Sequence, residues 1–285
     1  MTSSLMYINL NLRTSLSTSL TIGGKKTQFR NSFFSRASPF AILKVYLPCK
    51  AECSMARGIL FIAGNGPAPE RIAEIVQKDD VICAADGGLD TALACGIHPR
   101  FVVGDMDSLA DRRVLEDLPP EAVMVYPEDK DKTDTEIGIA QLRQLNCCPI
   151  IIIGGGEGRL DHTLGLIKCF EKEQPPDMWY TAREIIRPLL CSAEIKANPG
   201  APVSVYPLGT GPWRIESRGL HWEIDKVNWN AGAMSLSNRF RNGRVFFEVK
   251  AGRFLLILCN RPSSYQSGIV RRSKLAKVSR RPCLS

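Results

Sequence analysis

The 285-residue chain has only three histidines, and its ten cysteines include no C-x-x-C pair. A zinc centre built on imidazole or paired thiolates is therefore not expected. No apolar run approaches the roughly 20 residues needed to cross a bilayer, so no membrane partner is expected. The phosphate-binding pattern G-x-x-x-x-G-K-[ST] is absent. Acidic residues are missing from both ends: residues 1–50 hold seven Lys/Arg and no Asp or Glu, and residues 261–285 hold another seven and no acid. Those ends take fourteen of the 37 basic residues, so residues 51–260 keep 23 against all 29 acidic ones, a net of −6 under a formal total of +8. The basicity belongs to the tails rather than to a folded surface, which argues against a nucleic-acid partner.

Cys83, Cys169 and Cys259 sit in apolar runs, where Cys packs as a small hydrophobe, so reduced thiols and a cytoplasmic location are expected. Residues 1–54 are rich in Ser, Thr and Leu with scattered Arg and Lys, the composition of an organelle transit segment. An equally good reading makes Met55 the true start and 1–54 a disordered extension. Residues 261–285, with Arg271-Arg272 and Arg280-Arg281, read as a basic disordered tail.

What lies between is ordered by alternation. Strands are expected at Gly58–Ile62, Val81–Ala85, Phe101–Val103, Ala122–Tyr126 and Pro149–Ile153, with helical spacing over 69–76, 89–94, 135–145 and from Asp161 through Phe170. Strands alternating with helices mean βαβ units and a parallel sheet. Each strand is followed at its carboxyl end by glycine, carboxylate or Arg/His: Gly64-Asn65-Gly66, Asp86-Gly87-Gly88, Gly104-Asp105-Met106-Asp107-Ser108, Asp129 to Asp134, and Gly154 to His162. In a parallel sheet those ends share one edge, where ligands bind. Glycines let backbone N–H groups approach phosphate, Arg159 can fork onto its oxygens, and Asp86, Asp105, Asp107, Asp131 and Asp134 suit one or two Mg²⁺ ions. Each piece has a plainer alternative. The Asp105 stretch alone could be a solvated acidic turn, Thr133 and Glu136 a capping box, Asp161 a helix cap, and His162 a structural histidine. Together they point to a Mg²⁺-dependent enzyme of nucleotide or phosphate substrates.

Four of these motifs, Ala85-Asp-Gly-Gly88, Gly104-Asp-Met-Asp-Ser108, Lys130-Asp-Lys-Thr-Asp-Thr-Glu136 and Gly158-Arg-Leu-Asp-His162, resemble thiamine pyrophosphokinases in content, order and separation over roughly 58–260. The resemblance implies transfer of the pyrophosphoryl group of ATP to the hydroxyl of thiamine, giving thiamine diphosphate and AMP. It assigns Asp105, Asp107 and Asp131 to Mg²⁺, Asp86 and Asp134 near the ion or the incoming hydroxyl, and Arg159 to the transferred group. ATP is expected at Gly64, Asn65, Gly87, Gly88, Ser108, Lys132, Thr133, Arg159, Asp161 and His162. Two positions depart from the family pattern: Glu157 stands where it has glycine, and Leu166 where an Asn is common.

After Met178–Thr181, a further expected strand, the texture changes. Short runs at 203–208, 213–217, 220–224, 233–237, 244–249 and 254–258, separated by Gly, Asn and Pro, suggest an antiparallel sandwich. The expected class is thus α/β: an N-terminal doubly wound, mostly parallel sheet domain over 55–190, then a small C-terminal antiparallel β-sandwich domain over 200–260. The resemblance places thiamine there, at Trp222, Ser235, Ser237 and Asn238, in a homodimer. On composition alone Trp222 reads as a core or edge-strand aromatic. A different phosphotransferase on the same scaffold, or a non-catalytic thiamine- or nucleotide-binding module, are the alternatives.

Overall fold

The computed structural model describes residues 55–259 and, apart from them, two short strands, β1 (Ser19–Ile22) and β2 (Lys25–Gln28), which pair antiparallel with Ser19 opposite Gln28. Otherwise the expectations for 1–54, and all those for 261–285, lie outside the described residues. Among the described residues no helix is long and apolar enough to cross a membrane.

The alternating segment forms β3 (Gly58–Ile62), α1 (Pro69–Ile75), β4 (Val81–Ala85), α2 (Gly88–Ala94), β5 (Phe101–Gly104), β6 (Val123–Val125), α3 (Asp134–Gln144), β7 (Ile150–Ile153), α4 (Leu160–Glu171) and β8 (Met178–Tyr180). The strands lie side by side in the order β8-β7-β3-β4-β5-β6, every pair parallel. The chain moves outward from β3 through β4 and β5 to β6, then returns to place β7 on the other side of β3. The reversal leaves a crevice between the carboxyl ends of β3 and β7. These strands are apolar on both faces because helices cover both. Leu60 and Ile62 pack with Ile137, Leu142 and Phe170 on one side; Ile59 and Phe61 pack with Ile72, Ile75 and Leu89 on the other. Cys83 packs in the first of these layers and Cys169 is likewise buried, and burial pushes the Cys169 thiol up to about 11.

The remaining strands are β9 (Glu184–Leu189), β10 (Ala193–Lys196), β11 (Pro202–Leu208), β12 (Arg214–Arg218), β13 (Ser235–Arg239), β14 (Arg244–Ala251) and β15 (Arg253–Cys259). They are antiparallel, as expected, but their main sheet is not separate. Tyr180 pairs with Ile185 across a tight turn, so β9, β15, β11 and β13 extend the parallel sheet to ten strands. Strands β10, β14 and β12 form the second layer, and Ile195, Val245 and Phe247 meet Val205, Phe254 and Leu256 between the two. The sequence reading passes over β9 because Arg187-Pro188 interrupts its apolar pattern. The strand expected over 220–224 is instead a turn with one bridge, Leu220 to Phe240. There the carboxylates of Asp225 and Glu223 accept the backbone N–H groups of Ser217 and Gly219, so side chains replace a ladder partner.

α2 lies close against β3 because its first residue is glycine. A Cβ on Gly88 would stand 2.3 Å from the carbonyl oxygen of Phe61. Gly88→Ala is expected to lower stability by about 1–3 kcal/mol, the usual scale of overpacking. Urea unfolding checks this, and an unchanged midpoint would mean that the helix stands farther off the sheet.

Candidate active site at the carboxyl edge of the sheet

Three carboxylates from three elements converge. Asp86 follows β4, Asp105 follows β5, and Asp134 opens α3, and an oxygen of each lies within 4.8 Å of the others. The parallel register sets the first two side by side: Ala85 pairs with Val103, and Asp86 N–H donates to the Val103 carbonyl at 2.9 Å. Asp86 then adopts φ +47, an unusual value for a residue with a side chain, and Met106 adopts +61. Gly104, at φ +141, leaves room for the cluster: a Cβ there would lie 3.2 Å from both Asp134 Oδ1 and Asp86 Cβ. Strain of this kind costs about 1–3 kcal/mol per residue and concentrates where function fixes the backbone.

Lys130 reaches into this cluster. Its Nζ lies 3.3 Å from Asp105 Oδ2 and 3.2 Å from Asp134 Oδ1. The second is an ion pair without hydrogen-bond alignment, so the buried Asp134 Oδ1 makes no hydrogen bond. Desolvation, with the charges of Asp105 and Asp86, raises the Asp134 carboxyl above its ordinary value against the pull of Lys130. For Asp105, desolvation is outweighed by hydrogen bonds from the Asp107 backbone and from Lys130, and the net shift is downward. The sequence reading did not single out Lys130, which lies in the loop four residues ahead of the first residue of α3.

Asp107 and Asp131 are exposed and stand outside the converging set. Asp107 accepts from Ser108 Oγ at 3.0 Å, and Ser108 N–H donates to Asp86 Oδ1 at 3.3 Å, so Ser108 links the two acidic loops. Thr133 is the N-cap of α3 in a capping box with Glu136, as the plainer reading expects. Lys132 is exposed. Gly87 packs under Ser108, where a Cβ would meet its carbonyl at 3.1 Å.

The loops after β3 and β7 join across the crevice. Asn65 and Gly156 exchange backbone hydrogen bonds of 2.7 and 3.1 Å beside Gly64, and a Cβ on Gly154 would meet the Ile62 carbonyl at 2.2 Å. Glu157 keeps a glycine-like φ of +57. Its carboxylate accepts from Asn65 Nδ2 at 2.8 Å and pairs with Arg183 at 2.7 Å, contacts that a glycine could not make. Arg159 caps α4 by backbone only and pairs with Asp161 at 2.6 Å, which lowers the Asp161 carboxyl; Asp161 itself is not the cap. Both side chains and His162 are exposed. A cavity of about 290 Å³ opens beside Gly155, Gly156 and Glu157, walled by Trp179, Ile186 and Leu255; the three converging carboxylates do not line it.

Residues 72–178, which hold the acidic cluster and the glycine loop, match the family model described as thiamin pyrophosphokinase, catalytic domain. Over that segment the chain resembles a thiamin pyrophosphokinase catalytic domain. A thiamine pyrophosphokinase of Bacillus subtilis (strain 168) is 37% identical over 89 residues, which are 30% of this chain and 41% of that protein. The chain thus matches less than half the length of that relative in sequence. In fold the likeness extends further. The thiamin pyrophosphokinase of Geobacillus thermodenitrificans superposes with a TM-score of 0.58 at 22% identity, over 72% of this chain and 99% of that one. The yeast thiamin pyrophosphokinase does so with 0.57 at 17%, over 73% and 87%.

On the sandwich side, Trp222 is 59% exposed and meets His221 edge to face at 4.4 Å between ring centroids. Asn238, 2% exposed, accepts the Trp222 N–H at 3.2 Å, donates to the Trp222 carbonyl at 2.6 Å, and reaches Ser235 Oγ at 3.3 Å. Asn238 and Ser235 therefore hold the Trp222 turn in place. Ser237, exposed at φ +54, is tied by its backbone to Ser204.

Leu166 is buried among Ile62, Ile152 and Phe170. Placing the family's common Asn there would bury an amide without a partner, so Leu166→Asn is expected to cost about 1–3 kcal/mol. Thermal unfolding checks this; a variant as stable as the parent would show that the site accepts a polar group.

Proposed function

We propose that the chain is a thiamine diphosphokinase, transferring the pyrophosphoryl group of ATP to the hydroxyl of thiamine with release of AMP. The observation that carries this reading is the convergence of Asp86, Asp105 and Asp134 at the carboxyl edge of the parallel sheet, inside the segment that matches the family's catalytic domain. The donor set fits Mg²⁺: three carboxylates on one crevice, with a buried Asp134 oxygen that lacks a hydrogen bond. Asp86, Asp105 and Asp134 would hold the ion, and the exposed Asp107 and Asp131 would serve it from the rim. Mg²⁺, when bound there, would supply positive charge to offset that of the phosphates. The chain's own groups do the rest by positioning. Backbone N–H groups of the glycine loops and Ser108 approach the phosphates, while Arg159, Lys132 and His162 surround them from exposed positions. In this arrangement residues 55–190 serve ATP and 200–260 serve thiamine.

Trp222 supplies an exposed π face to a ligand whose thiazolium is cationic. Leu160 and Leu164 on α4 and Leu236 on β13 are also exposed, apolar and large. A second copy of the chain covers them in this reading, and thiamine sits where the two copies meet, in a cytoplasmic homodimer.

Incubation with ATP, Mg²⁺ and thiamine, followed by product analysis, tests the proposal directly. Thiamine-dependent AMP supports it; ADP would indicate a simple kinase on the same scaffold, and no turnover a binding module. Asp105→Asn should keep the fold and remove most turnover, because it deletes one of the metal-binding charges; near-normal activity would refute that assignment. Trp222→Ala should raise the thiamine KM by roughly 2- to 30-fold, the factor implied by about 0.5–2 kcal/mol of cation–π energy. ATP binding should change little, and an unmoved thiamine KM would place the ligand elsewhere.

A further inference from the structure

The carboxylate crevice holds a cation of the chain's own. Lys130 touches Asp105 and Asp134 at 3.3 and 3.2 Å, and only 14% of its side chain is exposed. Carboxylates held this close repel unless positive charge lies between them. One ammonium leaves three carboxylates short of neutral, so the crevice still attracts a divalent ion. Lys130 faces Oδ1 of Asp134, the oxygen of that carboxylate that makes no hydrogen bond. Oδ1 is buried, a Cβ on Gly104 would crowd it at 3.2 Å, and Lys130 stands beside it. Mg²⁺ takes oxygens at about 2.0–2.1 Å in a near-octahedral set. Drawing the Asp105 and Asp134 oxygens onto one ion at that distance removes them from the ammonium and sets two cations in repulsion a few ångströms apart.

We propose that Lys130 is a built-in counter-cation that competes with the divalent ion for Asp105 and Asp134, and that metal entry drives its ammonium onto the phosphate oxygens of the nucleotide. The inference rests on the metal reading of this crevice. It gives the chain a lower metal affinity than its carboxylates alone would have. It also couples the two ligands: the expelled ammonium has lost its partners, and phosphate restores charge-assisted hydrogen bonds to it. Metal and nucleotide then favour each other's binding through one side chain, and coupling of this kind is reciprocal.

The test is a Mn²⁺ titration of the full chain by calorimetry, with and without a non-hydrolysable ATP analogue. Lys130→Met keeps the length of the side chain and removes its charge. It is expected to bind Mn²⁺ about tenfold more tightly without nucleotide. It should also lose most of the extra affinity that the analogue confers on the parent. Lys130→Gln gives the same comparison if the Met variant does not fold. In the parent protein, Mg²⁺ should raise acetylation of Lys130 by an amine-reactive ester severalfold, since expulsion exposes the amine. Unchanged or weaker Mn²⁺ binding in the folded variants, or labelling that Mg²⁺ does not alter, overturns the proposal. Asp105→Asn separates the two levels. If it abolishes Mn²⁺ binding while the Lys130 variants show no gain, the metal reading stands and the Lys130 role falls. If the parent binds no Mn²⁺, both fall.

Discussion

Mutual repulsion of carboxylates is the constraint on which this structure turns. Asp86, Asp105 and Asp134 belong to loops separated by up to 48 residues of chain, yet their oxygens come within 4.8 Å. No local interaction would assemble them. The parallel sheet does, because β4 and β5 run in register and end at one edge, and α3 begins where β6 leaves it. Burial in Ile/Val/Leu layers supplies the stability, roughly 1.5–3 kcal/mol for each large side chain taken from water, that offsets the cost of the acidic crevice. Lys130 relieves part of that cost within the protein itself.

The glycines follow from the same geometry. Gly104 keeps a Cβ away from two of the carboxylates, and Gly154 lets the β7 loop touch the end of β3. Glu157 shows how much of this is backbone shape. It occupies a left-handed conformation that glycine would adopt more easily, and its carboxylate joins Asn65 to Arg183. The loop shape expected for a glycine survives there with a different residue, held by side-chain contacts in place of conformational freedom.

Strand order, helix order and the shared edge were legible in the sequence because apolar runs of four or five residues end so abruptly in polar groups. The membership of the converging set was less so. Spacing along the chain puts Asp105 beside Asp107 and Asp131 beside Asp134, but a left-handed turn at Met106 and the start of α3 decide which carboxylates face the crevice. Asp86 joins the set through sheet pairing, which no local motif encodes. The continuity of the ten-stranded sheet was hidden for a related reason. Arg187-Pro188 masks β9, and the β8–β9 turn is closed by hydrogen bonds between Glu184 and Thr181, which the sequence places only at the end of the preceding strand.

The sandwich half carries the same division between groups that act and groups that hold. Asn238 and Ser235 would be natural ligand contacts on composition, but the Asn238 amide is occupied on both ends by the Trp222 backbone and by Ser235. What remains outward is the Trp222 ring, with Leu236 exposed on the neighbouring edge strand. A single exposed indole gives a flat cationic ring one face and no enclosure, while small-molecule sites bury most of their ligand. If thiamine binds here, the second wall has to come from beyond this surface. That requirement, more than the exposed apolar side chains alone, ties the thiamine reading to a second copy of the chain.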